Sequence, residues 1–192
     1  MNLNSTPSST SPRRLNLGCG TDIREGWVNL DIAALPGVDV VHDINILPLP
    51  FSDGSFDEIL CNDILEHVDL APVLKECHRI LSPGGRMRIE VPHYTSNNNY
   101  VDPTHRNRFS VKTFRFFARD TFEGSRRGSY YFDFSFSSVA ATRLKFVHGI
   151  PYFWNWIVSP VINSRYSMQC YYEATGLAYL FPAQNLQVIL VK

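Results

Sequence analysis

Apolar positions fall in short blocks through the first half of the chain. Leu15 and Leu17 form one, Val28 and Leu30 a second, and Val38, Val40 and Val41 a third. Each block is closed by residues of another kind: Gly18 and Gly20 after the first, Asp31 after the second, Asp43 after the third. Short apolar runs bounded in this way predict parallel strands buried on both faces. Phe56 to Cys61 and Arg86 to Val91 predict two more. Between these two, Leu70, Val73, Leu74, Cys77, Ile80 and Leu81 recur at helical spacing and define one apolar face. Asp69 is placed to cap that helix, Pro72 falls in its first turn, and Ser82-Pro83-Gly84-Gly85 stops it.

One connection breaks the usual rule. Parallel strands are normally joined by a dozen or more residues that include a helix. Residues 21–27 leave no room for one, so a single exposed turn near residues 22–25 is expected. Beyond Pro92 the pattern changes. Residues 130–136 and 141–147 predict strands. Leu177 to Phe181 and Leu186 to Val191 predict a closing antiparallel hairpin turning at residues 182–185. Residues 1–12 are rich in Ser, Thr, Asn and Pro and predict a disordered arm.

Composition narrows the class. A chain of 192 residues with 44% hydrophobic residues suits one domain with a sizeable core, here residues 13–192, with residues 92–170 as insertions on the substrate side. The formal net charge of +0 argues against a general attraction to nucleic acid or to membranes. Cys19, Cys61, Cys77 and Cys170 show neither a disulfide framework nor a metal-ligand spacing, and they suit a reducing, cytoplasmic setting. The amino terminus is too polar for a signal peptide.

The strand ends carry the chemistry. In an open α/β sheet, ligands sit outside the carboxyl ends of the strands. Gly18 and Gly20 let the backbone turn tightly and approach a ligand. A carboxylate at Asp31 can accept two hydrogen bonds from a ribose diol. Asp43 can accept from the exocyclic amine of a base, and the following N–H, that of Ile44, can donate to a ring nitrogen. A dinucleotide site fits poorly. Its fingerprint needs a third glycine, and its acidic residue lies about twenty positions on, whereas Asp31 follows Gly18 by thirteen. Asp22 and Glu25 would also repel a pyrophosphate. The loop suits a ligand without phosphates, one bearing an amino group.

Six segments in this order carry a resemblance. They are Leu-Asn-Leu-Gly-Cys-Gly at 15–20, Asp31, Asp43-Ile44, Ser55-Phe56-Asp57-Glu58-Ile59, Leu65-Glu66-His67 and Arg79-Ile80-Leu81-Ser82-Pro83-Gly84-Gly85. Together they resemble the class I S-adenosylmethionine-dependent methyltransferases, most closely the small type 11 group, over Leu15 to about Val91. The resemblance implies a Rossmann-like, doubly wound, mostly parallel seven-stranded sheet with an antiparallel last strand. It implies S-adenosyl-L-methionine as cofactor, held by Gly18, Cys19, Gly20, Asp31, Ile32, Asp43, Ile44 and Asn62. Cys19 itself reads as a small packing residue rather than a nucleophile. For the acceptor's proton, His105, His93 and His67 are the candidate bases, each with a structural hydrogen bond as the plainer alternative. No metal is expected, because these histidines and Asp102 match no tight ligand spacing.

The loop after the fourth strand lacks the Asn/Asp-Pro-Pro-aromatic signature that the resemblance would require for methylating exocyclic amines, which favours an oxygen acceptor, with carbon second. Basic and aromatic residues interleave from Arg106 to Arg127, either as a solvated face or as a pocket for an anionic small molecule, a sugar phosphate or a lipid-linked glycan. The apolar stretch 150–162 is far too short to cross a bilayer and stays open between a lid, a homodimer patch and peripheral membrane contact. Two rival functions remain: an NAD(P)-dependent oxidoreductase or epimerase, and a non-catalytic binding module on the same fold.

Overall fold

The computed structural model describes residues 12–192; the amino-terminal arm expected at 1–12 lies almost wholly outside them. Seven strands form one sheet: β1 (Arg14–Leu17), β2 (Val28–Asp31), β3 (Val40–Val41), β4 (Phe56–Asn62), β5 (Leu81–Pro92), β6 (Ser138–Lys145) and β7 (Asn185–Val191). Their order is β3-β2-β1-β4-β5-β7-β6. β1 to β5 run parallel, and β7 lies antiparallel between β5 and β6. This is the expected mostly parallel sheet with an antiparallel last strand. The chain order reverses between β1 and β4, which is where such sheets bind ligands.

Helix α1 (Leu70–Ile80) connects β4 to β5. Its buried residues Val73, Leu74, Cys77 and Ile80 join Leu15, Leu17, Ile59, Cys61, Met87, Ile89 and Val91 in one core. Burying such side chains contributes about 1.5–3 kcal/mol each, which outweighs the modest helix propensity of the valine and cysteine. Asp69 stands at the cap position, but its side chain makes no capping hydrogen bond. The β1–β2 crossover contains only turns, as its length requires, and the short β2–β3 link likewise has no helix.

One face of the sheet therefore stays polar. Leu60, Asn62, Arg88, Glu90, Gln187 and Ile189 sit side by side in register and line a shallow groove on it. Glu90 accepts hydrogen bonds from Lys145 (2.6 Å), Asn185 (3.0 Å) and Gln187 (2.7 Å), and these donors hold its carboxyl below the usual range despite the opposing effect of burial.

The second half differs from the pattern reading. Residues 130–136 are not a strand. After α2 (Asn98–Val101), the chain makes a 3-10 turn at Thr113–Phe117, a π-turn at Gly124–Gly128 and a short α3 (Ser129–Tyr131). Phe132 and Phe134 then pack their rings on Phe117. Aromatic alternation here serves ring packing rather than a ladder. Residues 177–181 are not a strand either. Helices α4 (Asn155–Ile162), α5 (Tyr166–Ala174) and α6 (Leu177–Leu180) separate β6 from β7. The hydroxyl of buried Tyr172 donates to Phe181 O (2.8 Å) and accepts from Ala183 N (2.9 Å), fixing the end of α6. The hairpin partner of β7 is β6.

Arg79 anchors the loop before β4. Its guanidinium donates to Glu76 Oε1 (2.6 Å), Asp53 Oδ1 (2.6 Å) and Phe51 O (2.8 Å). Burial opposes ionisation of Glu76, but Arg79 and the Leu49 N–H hold its carboxyl low. Arg79→Ala strands a buried carboxylate and is expected to cost about 2 kcal/mol in chemical denaturation; an unchanged midpoint would show that water replaces the guanidinium freely.

Candidate active site

Three strand ends build the first hollow. Asp31, Ile32, Asp43, Ile44, Asn45, Ile64, His67 and Val68 line a cleft of about 180 Å³. Asp31 and Asp43 thus line one space, while Gly18, Cys19 and Gly20 do not line it. Asp31 Oδ2 accepts from Gly20 N (2.7 Å) and Oδ1 from Ala33 N (2.9 Å). Asp43 Oδ1 accepts from Asn45 N (2.9 Å). Every carboxylate oxygen has further acceptor capacity. Among the described residues, Ile44 N–H donates to no protein acceptor, so it remains free to donate to a ligand.

The glycine loop uses its own amides. Gly18 N (2.8 Å) and Cys19 N (3.0 Å) both donate to Leu30 O, and Gly20 N donates to Asp31. A phosphate cradle needs such amides free and pointing outward. The reason for Gly18 also changes. Its φ is +70°, and a Cβ there would meet Ile64 Cγ1 at 2.5 Å, so the missing side chain makes room for Ile64, a wall of the hollow. Cys19 is buried, burial raises its thiol pKa and Asp31 adds to that, and its N–H donates to Leu30 O, so its side chain packs in the core.

Asn62 is corrected as well. It is in register with Glu90 and lines the groove on the polar face rather than this hollow. The chain turns just after it, where Asp63 takes φ +48°, a backbone region that aspartate tolerates better than most residues. Residues 64–68 follow in a tight turn. Leu65 and Val68 anchor it in the core, while Asn107 Nδ2 donates to Leu65 O (2.8 Å) and Val68 O (2.9 Å) and Arg106 N donates to Glu66 O (2.7 Å).

That turn presents a second cavity of about 370 Å³, lined by Asp63, Glu66, His67, Pro92, Asn98, Val101, Asp102 and His105. His67 lines both spaces. The rings of His67 and His105 meet edge to face at 4.6 Å. His67 Nδ1 bonds Thr104 Oγ1 at 2.9 Å. Burial lowers the pKa of His105, with nearby His67 acting in the same direction and Asp102 against it. Glu66 is only 1% exposed, and burial pushes its carboxyl up to about 7, with its own backbone N–H acting against the shift and Asp63 and Asp102 adding to it. Burial likewise raises Asp63, with Glu90 adding.

His93 does not join this group. It is fully buried, with Nε2 at 2.9 Å from Glu173 and Nδ1 at 2.7 Å from Thr95. The structural alternative holds for it, and it leaves the list of candidate bases. Glu66 was missed as a site residue because a lone glutamate between Leu65 and His67 has no periodic signature; its adjacency to His67 was the available signal. The arginines of the 106–127 run line neither cavity. Arg115 lies 4.1 Å from the Tyr166 ring and pairs with Glu123, and Arg126 lies 5.0 Å from the Phe122 ring. A third cavity of about 370 Å³, lined by residues such as Ser96, Tyr152, Trp154 and Leu180, has no acid, imidazole or cation in its wall.

A mixed sheet in this order, with paired carboxylates in a cleft at its switch point, defines a Rossmann-like methyltransferase fold. The comparisons agree. A solved S-adenosylmethionine-dependent methyltransferase from Archaeoglobus fulgidus aligns with TM-score 0.56 at 19% identity, covering 95% of this chain and 87% of that one. One from Mesorhizobium loti aligns with TM-score 0.52 at 16% identity, covering 97% and 94%. The methyltransferase domain family model matches residues 12–89, from just before β1 into β5. This match covers less than half of the chain; over it the chain is similar to the class I S-adenosylmethionine-dependent methyltransferases of the type 11 group, and the solved structures show the same fold. A probable S-adenosylmethionine-dependent methyltransferase from Mycolicibacterium smegmatis is 36% identical over 74 residues, 38% of this chain and 28% of the relative. An uncharacterized protein of Methanocaldococcus jannaschii is 47% identical over 47 residues, 24% of this chain and 21% of the relative. The matched segment thus spans between a fifth and a third of these relatives. S-adenosylmethionine is the cofactor of the class, and the residues of the first hollow fit it. Among the described residues, no helix is long and apolar enough to cross a membrane.

Proposed function

We propose that the chain transfers a methyl group from S-adenosylmethionine to an oxygen atom of a small hydroxylated acceptor. The observation that carries this is the glycine loop with all three amides turned inward, beside a hollow where Asp31 and Asp43 converge. Amides already spent within the protein are not available to a pyrophosphate. The same feature weighs against the NAD(P)-dependent reading.

Bound S-adenosylmethionine supplies an electrophilic methyl on its sulfonium. In this reading Asp31 holds the ribose diol, and the Ile44 N–H with Asp43 holds the base edge. The second cavity adjoins the first at His67, so an acceptor there can be held in line with the methyl. A hydroxyl acceptor must lose its proton as the new C–O bond forms, and the His67–His105–Glu66 group is placed to receive it.

The acceptor class has two supports. Relatives from Lysinibacillus sphaericus and Listeria welshimeri, each 36% identical over 66 residues, are named demethylmenaquinone methyltransferases, and that name points to a quinone-type acceptor, whose reduced ring offers carbon as well as oxygen to the methyl. The third cavity is partly aromatic, and Asn97 in its wall adjoins Asn98 in the wall of the acceptor cavity. Ile150, Phe153, Trp156 and Ile157 beside it are exposed, which supports an acceptor with an apolar or lipid-linked body taken from a membrane surface. The acidic lining of the acceptor cavity favours a neutral hydroxyl over the anionic acceptor considered from sequence.

Calorimetric titration with S-adenosylhomocysteine tests the core of this reading. Micromolar binding is expected, with none for NAD; the reverse would restore the oxidoreductase, and no binding of either would support a non-catalytic module. Release of S-adenosylhomocysteine across a panel of hydroquinones, catechols and sugars then identifies the acceptor. His105→Ala is expected to lower turnover about 100-fold with cofactor affinity unchanged, and wild-type turnover would make His105 structural.

A further inference from the structure

We propose that Glu66, His67 and His105 form a binding site for one divalent transition-metal ion of the manganese-to-zinc class, at the wall shared by the cofactor hollow and the acceptor cavity. One donor atom from each residue lies within 4.8 Å of the others. Bonds of about 2.0–2.2 Å to carboxylate oxygen and imidazole nitrogen need donors roughly 3–3.5 Å apart, which small side-chain rotations supply.

Two independent observations point to a ligand here. Glu66 is 1% exposed, yet neither of its carboxylate oxygens has a hydrogen-bond partner. The His105 side chain is 7% exposed, and its Nδ1 is also buried without a partner. Unpartnered buried polar atoms are costly, and three in one cluster mark a place where something is bound. No lysine or arginine among the described residues pairs with Glu66. Asp63 and Asp102 add two more carboxylates to the same wall. The cavity has an excess of negative charge and its most buried donors are free.

The surroundings orient the imidazoles for this task. Thr104 donates its hydroxyl proton to Asp102 Oδ1 at 2.6 Å, so Thr104 Oγ1 must accept from His67 Nδ1–H. That assigns His67 the tautomer whose Nε2 carries a lone pair. Asp102 Oδ2 lies 3.8 Å from His105 Nε2, favouring the proton on that nitrogen and leaving Nδ1 as the donor. One carboxylate thus supports both rings, as outer carboxylates do behind metal-bound histidines. Two imidazoles and one carboxylate suit iron(II), manganese, cobalt or zinc better than magnesium, and they leave coordination positions facing the cavity. If the methyl-transfer reading holds, a metal here would bind the acceptor oxygen and lower its pKa, and the three side chains would serve as ligands in place of the proton acceptors proposed above.

Cobalt(II) is the probe, titrated into chelator-treated, tag-free protein. Its visible spectrum reports nitrogen and oxygen ligation, and S-adenosylhomocysteine calorimetry runs in parallel on the same samples. Expected is one cobalt per chain. Glu66→Gln and His105→Asn should each weaken it at least 10-fold while S-adenosylhomocysteine binding is retained, which shows that the variants are folded. No saturable cobalt binding, or binding that both variants leave intact, would overturn the site. Cobalt binding without S-adenosylhomocysteine binding would support the metal site and reject the methyltransferase reading; the opposite pair of results would reject the metal alone.

Discussion

Asp31→Ala is expected to weaken S-adenosylhomocysteine binding by about 100-fold or more, equivalent to roughly 3 kcal/mol. The carboxylate has two tasks. It ties Gly20 N and Ala33 N to the end of β2, and its remaining lone pairs face the hollow it shares with Asp43. Removing it takes away the acceptor for a ribose diol and also frees an amide of the glycine loop. Charge-assisted hydrogen bonds are the stronger kind, so the loss should exceed that of an ordinary polar contact. Asp31→Asn keeps the volume and one acceptor oxygen and should fall between wild type and alanine. Calorimetry on the three proteins checks the order. Equal affinity in all three would exclude Asp31 from cofactor binding, wherever the methyl donor sits.

The other large effect is a gain of stability. Glu66→Gln should stabilise chelator-treated protein at pH 8 relative to pH 4, by up to roughly 3 kcal/mol for a carboxyl raised from 4.5 to about 7. The direction follows from proton binding. Between pH 4.5 and 7 the folded wild type keeps a proton that the unfolded chain has released, so wild-type stability falls as pH rises through that interval. Below it both states are protonated, and above it the full penalty applies. A buried glutamine pays a cost of its own, but one that does not vary with pH. Urea denaturation at the two pH values isolates the difference. A difference that does not change with pH would mean that the Glu66 carboxylate is well solvated or paired.

The first half of this fold was legible because burial on both faces leaves a plain trace: Leu15, Leu17, Leu30, Ile59 and Cys61 are apolar in sequence and buried in space. The length of residues 21–27 alone fixed the helix-free crossover. The second half was not legible in the same way. The alternation of Phe132, Phe134 and Phe136 mimics a strand, yet it serves rings stacked on Phe117 and against His78. Tyr179 and Leu180 suggested a strand although a turn of helix, closed by the Tyr172 hydroxyl, holds them. In the site, Asp31 and Asp43 were readable from their places at strand ends. Which histidines share a cavity was not, because His67 and His105 are brought together by the Arg106, Asn107 and Thr104 contacts to the turn at 64–68, whereas His93 is enclosed by Glu173 from far along the chain. Long-range pairing of this kind has no local pattern.

The two outermost strands have a consequence for how copies of the chain meet. β3 is only two residues long, too short to template another strand. β6 is longer, but its pairing with β7 slips between Val139 and Ala141, and the exposed side chains of Arg143 and Lys145 lie along the remainder. A slipped, cationic rim is a poor seam for intermolecular ladder growth. Both borders of the sheet, as far as the described residues go, are thereby poorly suited to edge-to-edge association.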